Sequence, residues 1–182
     1  KDDAALMRRI NLNAYRFSVA WPRILPAGRG KINQAGLDFY QALVDELLRA
    51  EIKPCLTLYH WDLPQALQEA GGWANPDCAL WFRDYAALVF EKLSDRVKFW
   101  ITINEPFVIS FIGNGLGLHA PGIIDIDTML RVGHTLLRAH GLAVQAFRQG
   151  GFDGKIGITL DLEMTMPATE SAEDKAAAER YG

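Results

Sequence analysis

The chain has only two cysteines, Cys55 and Cys78, well separated in sequence and in no C-x-x-C pair. Neither a zinc site nor a disulfide framework is indicated by that spacing, and the expectation is a reduced, cytoplasmic setting. A basic excess is also missing. The net charge is −3, so there is no electrostatic footprint for nucleic acid. No apolar run approaches the ~20 residues of a membrane-spanning helix, so no membrane partner is expected. No low-complexity segment or linker interrupts the chain, and no G-x-G-x-x-G follows any predicted strand, which removes the dinucleotide-binding signature. What remains is 49% hydrophobic and 23% charged, the balance of an ordinary globular domain.

Hydrophobic periodicity divides the chain into alternating elements. A helix is expected over 2–10, then a β-prone strand over 14–21 containing Arg16 and ending at Trp21. Pro22, Pro26, Gly28 and Gly30 mark a loop. Asn33 is placed to cap a helix over 34–50, whose Leu37, Tyr40, Val44, Leu47 and Leu48 share one face. A strand over 53–59 is apolar through its centre and runs into His60-Trp61-Asp62-Leu63-Pro64. Asn75-Pro76 reads as the start of a helix reaching Leu93, with Phe82, Tyr85, Val89 and Leu93 on its packed face. A third strand covers 97–103. A glycine-rich loop follows, then a helix capped by Asp127 and stopped near Arg148 by Gly150-Gly151. A fourth strand is expected over 155–162 and a last helix over 171–180. Four short, mostly apolar strands, each followed by a loop and a helix, predict an α/β fold with a parallel sheet covered by helices.

In such folds function gathers at the C-terminal ends of the strands. There the sequence presents Arg16 and Trp21, then His60 and Trp61, then Asn104 and Glu105, then Asp161 and Glu163. The third set is the most pointed. An apolar strand ends abruptly in an amide, a carboxylate and Pro106. A carboxylate at the end of a buried strand costs desolvation unless it is paired or used, and proline cannot donate to the ladder. Glu105 is therefore a candidate catalytic acid/base, with Asn104 beside it. Aromatic rings next to amide, carboxylate and imidazole suit a sugar, whose C–H faces stack and whose hydroxyls hydrogen-bond. Trp100, Trp81, Phe82 and Tyr85 read as packing, Cys55 as an apolar filler, and Asp62 and Glu69 as loop charges.

Thr102-Ile103-Asn104-Glu105-Pro106 resembles the T-[FIL]-N-E-P motif of family 1 glycoside hydrolases, retaining β-glucosidases and β-galactosidases on a (β/α)8 barrel. Tyr15-Arg16-Phe17-Ser18 with Trp21, Arg23 and Ile24 resembles the family's second strand, and Tyr59-His60-Trp61-Asp62-Leu63-Pro64-Gln65 its third. Gly71-Gly72-Trp73 and His119-Ala120-Pro121-Gly122 fit in order. The resemblance implies that Glu105 is the acid/base, protonating the glycosidic oxygen and then deprotonating water. It implies that Asn104 bonds the sugar 2-hydroxyl and His60 the 3-hydroxyl, with Trp61 in the same subsite. Arg16 matches the arginine that pairs with the nucleophile and keeps it ionised. His119 and Trp21 fall nearer the rim or behind the residues that touch the sugar.

The resemblance also has a gap. The family's nucleophile is a glutamate in an E-N-G run on the seventh strand, and no E-N-G occurs here. The expectation is a single incomplete barrel domain over 1–182, truncated at both ends and holding strands two to five. Its parent is expected to be a retaining β-glycosidase, with β-glucosidase favoured over a β-galactosidase or a 6-phospho-β-glucosidase. β-Glucosides or cello-oligosaccharides are the expected substrates, and no cofactor or metal is expected. The competing reading is a non-catalytic, sugar-binding half-barrel.

Overall fold

The computed structural model of the chain describes residues 2–181, so the outermost bounds of the expected domain, 1 and 182, lie outside the described residues. Its strands are β1 (Ala14–Ser18), β2 (Lys53–Tyr59), β3 (Phe99–Asn104) and β4 (Lys155–Thr159). They form one sheet in the order β1-β2-β3-β4, every neighbouring pair parallel. A doubly wound sheet reverses its strand order at a switch point; this sheet does not, and its order is that of part of a (β/α)8 barrel. The helices are α1 (Asp2–Arg9), α2 (Trp21–Ile24), α3 (Gln34–Arg49), α4 (Gln65–Glu69), α5 (Cys78–Leu93), α6 (Ile126–Gln149) and α7 (Ala172–Tyr181).

One face of the sheet is covered by helices. Leu37, Tyr40, Val44 and Leu47 of α3, Phe82, Tyr85, Val89, Phe90 and Leu93 of α5, and Leu136, Ala143 and Phe147 of α6 join Leu56, Leu58 and Trp100 in a single buried cluster. The 3.6-residue period of each helix aligns these side chains on one stripe. Trp100 meets Phe90 edge-on at 4.9 Å between ring centroids, as expected for a core residue. The opposite face lacks this cover among the described residues: Arg16 is exposed, Cys55 and Ile101 are half-buried and Phe99 is 40% exposed.

Several boundaries differ from the sequence reading, each for a local reason. β1 stops at Ser18, and Trp21 opens α2 with Pro22 in its first turn. Trp21 is therefore not at the end of the strand but in the helix turn beyond it. It is fully buried, stacks on Tyr85 at 4.9 Å and donates its Nε1–H to the Gly28 carbonyl at 2.9 Å. Gly28 has φ +77°, and a Cβ there would collide with Leu67 at 2.2 Å, so the residue that anchors Trp21 must be glycine. Asn33 precedes α3 without capping it, since its amide donates to the Arg23 carbonyl. Asn75 accepts from the Asp77 N–H in a turn one step before α5 begins. Asp125 rather than Asp127 caps α6, through the Thr128 N–H. Leu48 points outward, 40% exposed. β4 ends at Thr159, leaving Asp161 and Glu163 on an exposed stretch past the sheet.

The detail that matters most for the site is in β3. Ile101 pairs with Gly157 but Asn104 pairs with Thr159, so β3 carries one extra residue between those rungs. A bulge of this kind breaks the two-residue alternation and re-aims the side chains beyond it.

Candidate active site

The C-terminal ends of β1, β2 and β3 bring the predicted residues together. Arg16 projects from β1 on the uncovered face. Its Nε donates to Thr57 Oγ1 of β2 at 3.0 Å, and its Nη2 donates to Asn104 Oδ1 of β3. The bulge in β3 turns Asn104 to this face, where it is 1% exposed and its amide oxygen is committed to the guanidinium. Thr57 is not among the strand-end groups that the sequence presents. A hydroxyl in the middle of the apolar run Pro54-Cys55-Leu56-Thr57-Leu58 was the available signal, and it marks the point where Arg16 needs an acceptor.

His60 and Trp61 follow β2 directly. The Trp61 indole N–H donates to the Asn104 carbonyl at 3.0 Å, tying this turn to the end of β3. The ring of His60 lies 5.2 Å from that of Trp61, and His119 approaches Trp61 at 5.5 Å from the glycine-rich loop. The His60 imidazole titrates below its ordinary range. Partial desolvation of this largely exposed ring is the main cause and the Arg16 guanidinium adds to it, while the Glu105 carboxylate acts in the opposite sense. His60 thus senses both Arg16 and Glu105, and it is neutral and able to accept or donate a hydrogen bond at pH 7.

Glu105 is half-buried at the first position past β3. Its backbone N–H donates to the Thr159 carbonyl of β4 at 2.9 Å, and its own carbonyl accepts from Val108, which starts the following helical turn. Its φ is +50°, and that of Trp61 is +80°. Left-handed backbone in a non-glycine residue costs of order 1–3 kcal/mol, persists only where the surroundings enforce it, and clusters at functional sites. Two of the candidate site residues carry it. The arrangement can do specific chemistry. It offers a carboxyl on a rigid, bonded backbone, a neutral imidazole, and an amide whose oxygen is held by a cation so that its NH2 is free to orient toward a ligand.

Asp62 departs from its reading as a loop charge. One carboxylate oxygen, Oδ1, is buried with no hydrogen-bond partner. Burial pushes its carboxyl up to about 6, while the backbone N–H groups of Asp62 and His60 act against that rise. A cavity of about 630 Å³ has Trp61 in its wall, together with Tyr59, Trp73, Val108, Asn114 and His119. Glu105, Asn104 and His60 do not line it; they belong to the open face of the sheet. Among the described residues no group of three or more His, Cys, Asp or Glu side chains is placed to hold a metal ion.

Comparison with known proteins bears on the whole chain. The family model described as "Glycosyl hydrolase family 1" matches residues 1–182. Beta-glucosidase A of Acetivibrio thermocellus is 51% identical over 179 residues, 98% of this chain and 40% of its own length. A solved family 1 β-glucosidase from Thermotoga maritima superposes with a TM-score of 0.93 at 50% identity, covering 98% of this chain and 40% of that one. The same enzyme in complex with deoxynojirimycin gives 0.94, at the same identity and coverage. The chain therefore spans about 40% of the length of these relatives. A family match along every residue, with structures of that family superposing on the partial (β/α)8 barrel, makes this chain a member of glycosyl hydrolase family 1.

Proposed function

We propose that the chain is the acid/base-bearing part of a retaining β-glycosidase, a β-glucosidase acting on β-glucosides or cello-oligosaccharides, and that it belongs to a single (β/α)8 barrel domain. Glu105 gives its proton to the glycosidic oxygen as the aglycone leaves, then takes one from the water that attacks the glycosyl intermediate. Asn104, with its oxygen held by Arg16, offers its NH2 to the sugar's 2-hydroxyl. His60 and Trp61 bind the same sugar ring. Arg16 supplies positive charge to this face, where it favours the ionised form of a partner carboxylate. Double displacement needs that second carboxylate about 5–5.5 Å from the first, and in this reading it comes from barrel strands beyond the four described.

The observation that carries the reading is Glu105 itself: a carboxyl on a left-handed, hydrogen-bonded strand end, directly after the Asn104 that Arg16 holds and close enough to His60 to act on its titration. Beta-glucosidases 51% identical over 96–98% of this chain support the substrate class. The test is hydrolysis of an aryl β-glucoside by the full-length protein, with the anomer of the released sugar followed by NMR. The expected result is turnover with β-glucose released first, and no turnover by residues 1–182 alone. Release of the α-anomer first, or no hydrolysis of any aryl β-glycoside by the full-length protein, contradicts the reading.

A further inference from the structure

The bulge in β3 faces β4 alone. Against β2 the ladder is regular, with Ile101 opposite Thr57 and Ile103 opposite Tyr59. Against β4 it slips: β3 advances from Ile101 to Asn104 while β4 advances only from Gly157 to Thr159. A stretch out of register loses the ladder bonds that would hold it, so its geometry must come from elsewhere. One end is closed by the Glu105 N–H, which donates to the Thr159 carbonyl at 2.9 Å. Within the slip, the fully buried Thr102 supplies a second closure, its hydroxyl donating to the Gly157 carbonyl at 3.1 Å.

A third element holds that hydroxyl. His140 of α6 places its Nδ1 2.8 Å from Thr102 Oγ1. A hydroxyl has one proton, and the Gly157 carbonyl can only accept. Both contacts are satisfied together when Nδ1 carries the imidazole's proton and donates to Thr102 Oγ1; with the other tautomer only one of them is. Burial lowers the titration of the His140 ring, so it is neutral at pH 7 and has a single N–H to place. The ring stands on the stripe of α6 that packs on the sheet, one turn from each of the fully buried Leu136 and Ala143. An apolar side chain would fill that position with no polar ring to satisfy.

We propose that His140 is a positioning residue, whose Nδ1–H holds the Thr102 hydroxyl on the Gly157 carbonyl and so fixes the bulge that turns Asn104 toward Arg16 and sets Glu105 at the strand end. This rests on the proposal that Asn104 and Glu105 act on the sugar, and it adds what aims them. The position calls for an N–H at the place of Nδ1 and not for an aromatic ring. Asparagine, whose side-chain NH2 can take that place, should therefore preserve function better than phenylalanine, which keeps a ring and has no donor. Packing alone predicts the reverse order, since asparagine leaves the larger void.

The test compares His140→Phe, His140→Asn and Thr102→Val in the full-length protein. For a β-glucoside with a poor leaving group, His140→Phe is expected to lower kcat/KM by roughly 30-fold and His140→Asn by no more than about fivefold, the scale on which small misplacements of reacting groups act. In the double variant Thr102→Val/His140→Phe the loss should exceed that of the worse single variant by less than about threefold, because both changes break one hydrogen-bonded chain. Amide exchange over residues 102–105 should quicken at least ~10-fold in His140→Phe and stay near the unaltered rate in His140→Asn, while Leu56 and Leu58 in β2 keep their protection. A His140→Asn variant damaged as much as His140→Phe, additive losses in the double variant, or exchange over 102–105 unchanged by His140→Phe overturns the proposal. If the unaltered full-length protein hydrolyses no glycoside, the functional reading fails and the exchange measurement alone decides whether His140 holds the bulge.

Discussion

Leu56, Leu58 and Trp100, on the face of the sheet that meets the helices, have 2% or less of their surface exposed. On the other face of the same strands Arg16 is exposed, Cys55 and Ile101 are half-buried, and the buried groups are polar: Thr57 and Asn104, both bonded to Arg16. The strands are shared and the constraints are not. The covered face excludes water, and its side chains are interchangeable with others of similar shape and apolarity. The uncovered face holds hydrogen-bonding groups in fixed orientation, and shape alone cannot replace them. Stability and chemistry are thus separated by the thickness of one sheet, and each should be breakable without the other.

The largest effect is expected on the covered side. Trp21→Ala removes a fully buried ring stacked on Tyr85 and orphans the Gly28 carbonyl. A loss of ~3–5 kcal/mol is expected from such a truncation, read as a drop in the urea midpoint of residues 1–182. The mirror experiment is on the uncovered side. His60 is exposed, so His60→Ala should leave the melting temperature of the full-length protein within about 1 °C while lowering kcat/KM about 10²-fold, the size of effect that misplaced substrate contacts produce. Equal damage to stability and activity from either variant would erase the distinction between the faces.

A smaller effect sharpens the comparison at the boundary between them, where Asp62 sits. Its carboxyl titrates near 6 in the fold against an ordinary value of 3.8. The folded chain therefore keeps a proton that the unfolded chain has released. That contribution to stability is fully present below about pH 4 and is gone once the pH exceeds about 6. Asp62→Asn cannot ionise and escapes the decline. Between pH 4 and pH 7 its melting temperature should gain on the unaltered protein by about 2–4 °C, a modest shift because the carboxylate retains some access to water. A difference independent of pH would mean that Asp62 is as solvated as an ordinary loop carboxylate.

The limits of the sequence reading follow the same division. β2 lies at 53–59 and α5 ends at Leu93, as the apolar pattern predicts, because burial against helices is written directly in hydrophobic periodicity. The proposed site residues Arg16, His60, Trp61, Asn104 and Glu105 stand out in the sequence as polar or aromatic groups in or just after apolar strands, and hydrogen bonds link Arg16 and Trp61 to Asn104. What local pattern could not show depends on distant partners. Trp21 continues the alternation of β1, yet it is drawn into the core by Tyr85 and by the carbonyl of Gly28. Asn33 has the right side chain for a cap but spends it on Arg23. The bulge in β3 is visible only from the register of β4, and the burial of Asp62 Oδ1 only in the folded chain.

The central claim is that Glu105 moves a proton to and from the glycosidic oxygen. Its most direct test is the leaving-group dependence of Glu105→Gln in the full-length protein. Loss of a general acid should slow substrates with poor leaving groups by about 10²–10⁴-fold, and should spare the first step for activated aryl glucosides while their second step becomes limiting. A variant that loses the same factor for every leaving group would contradict the role assigned to Glu105.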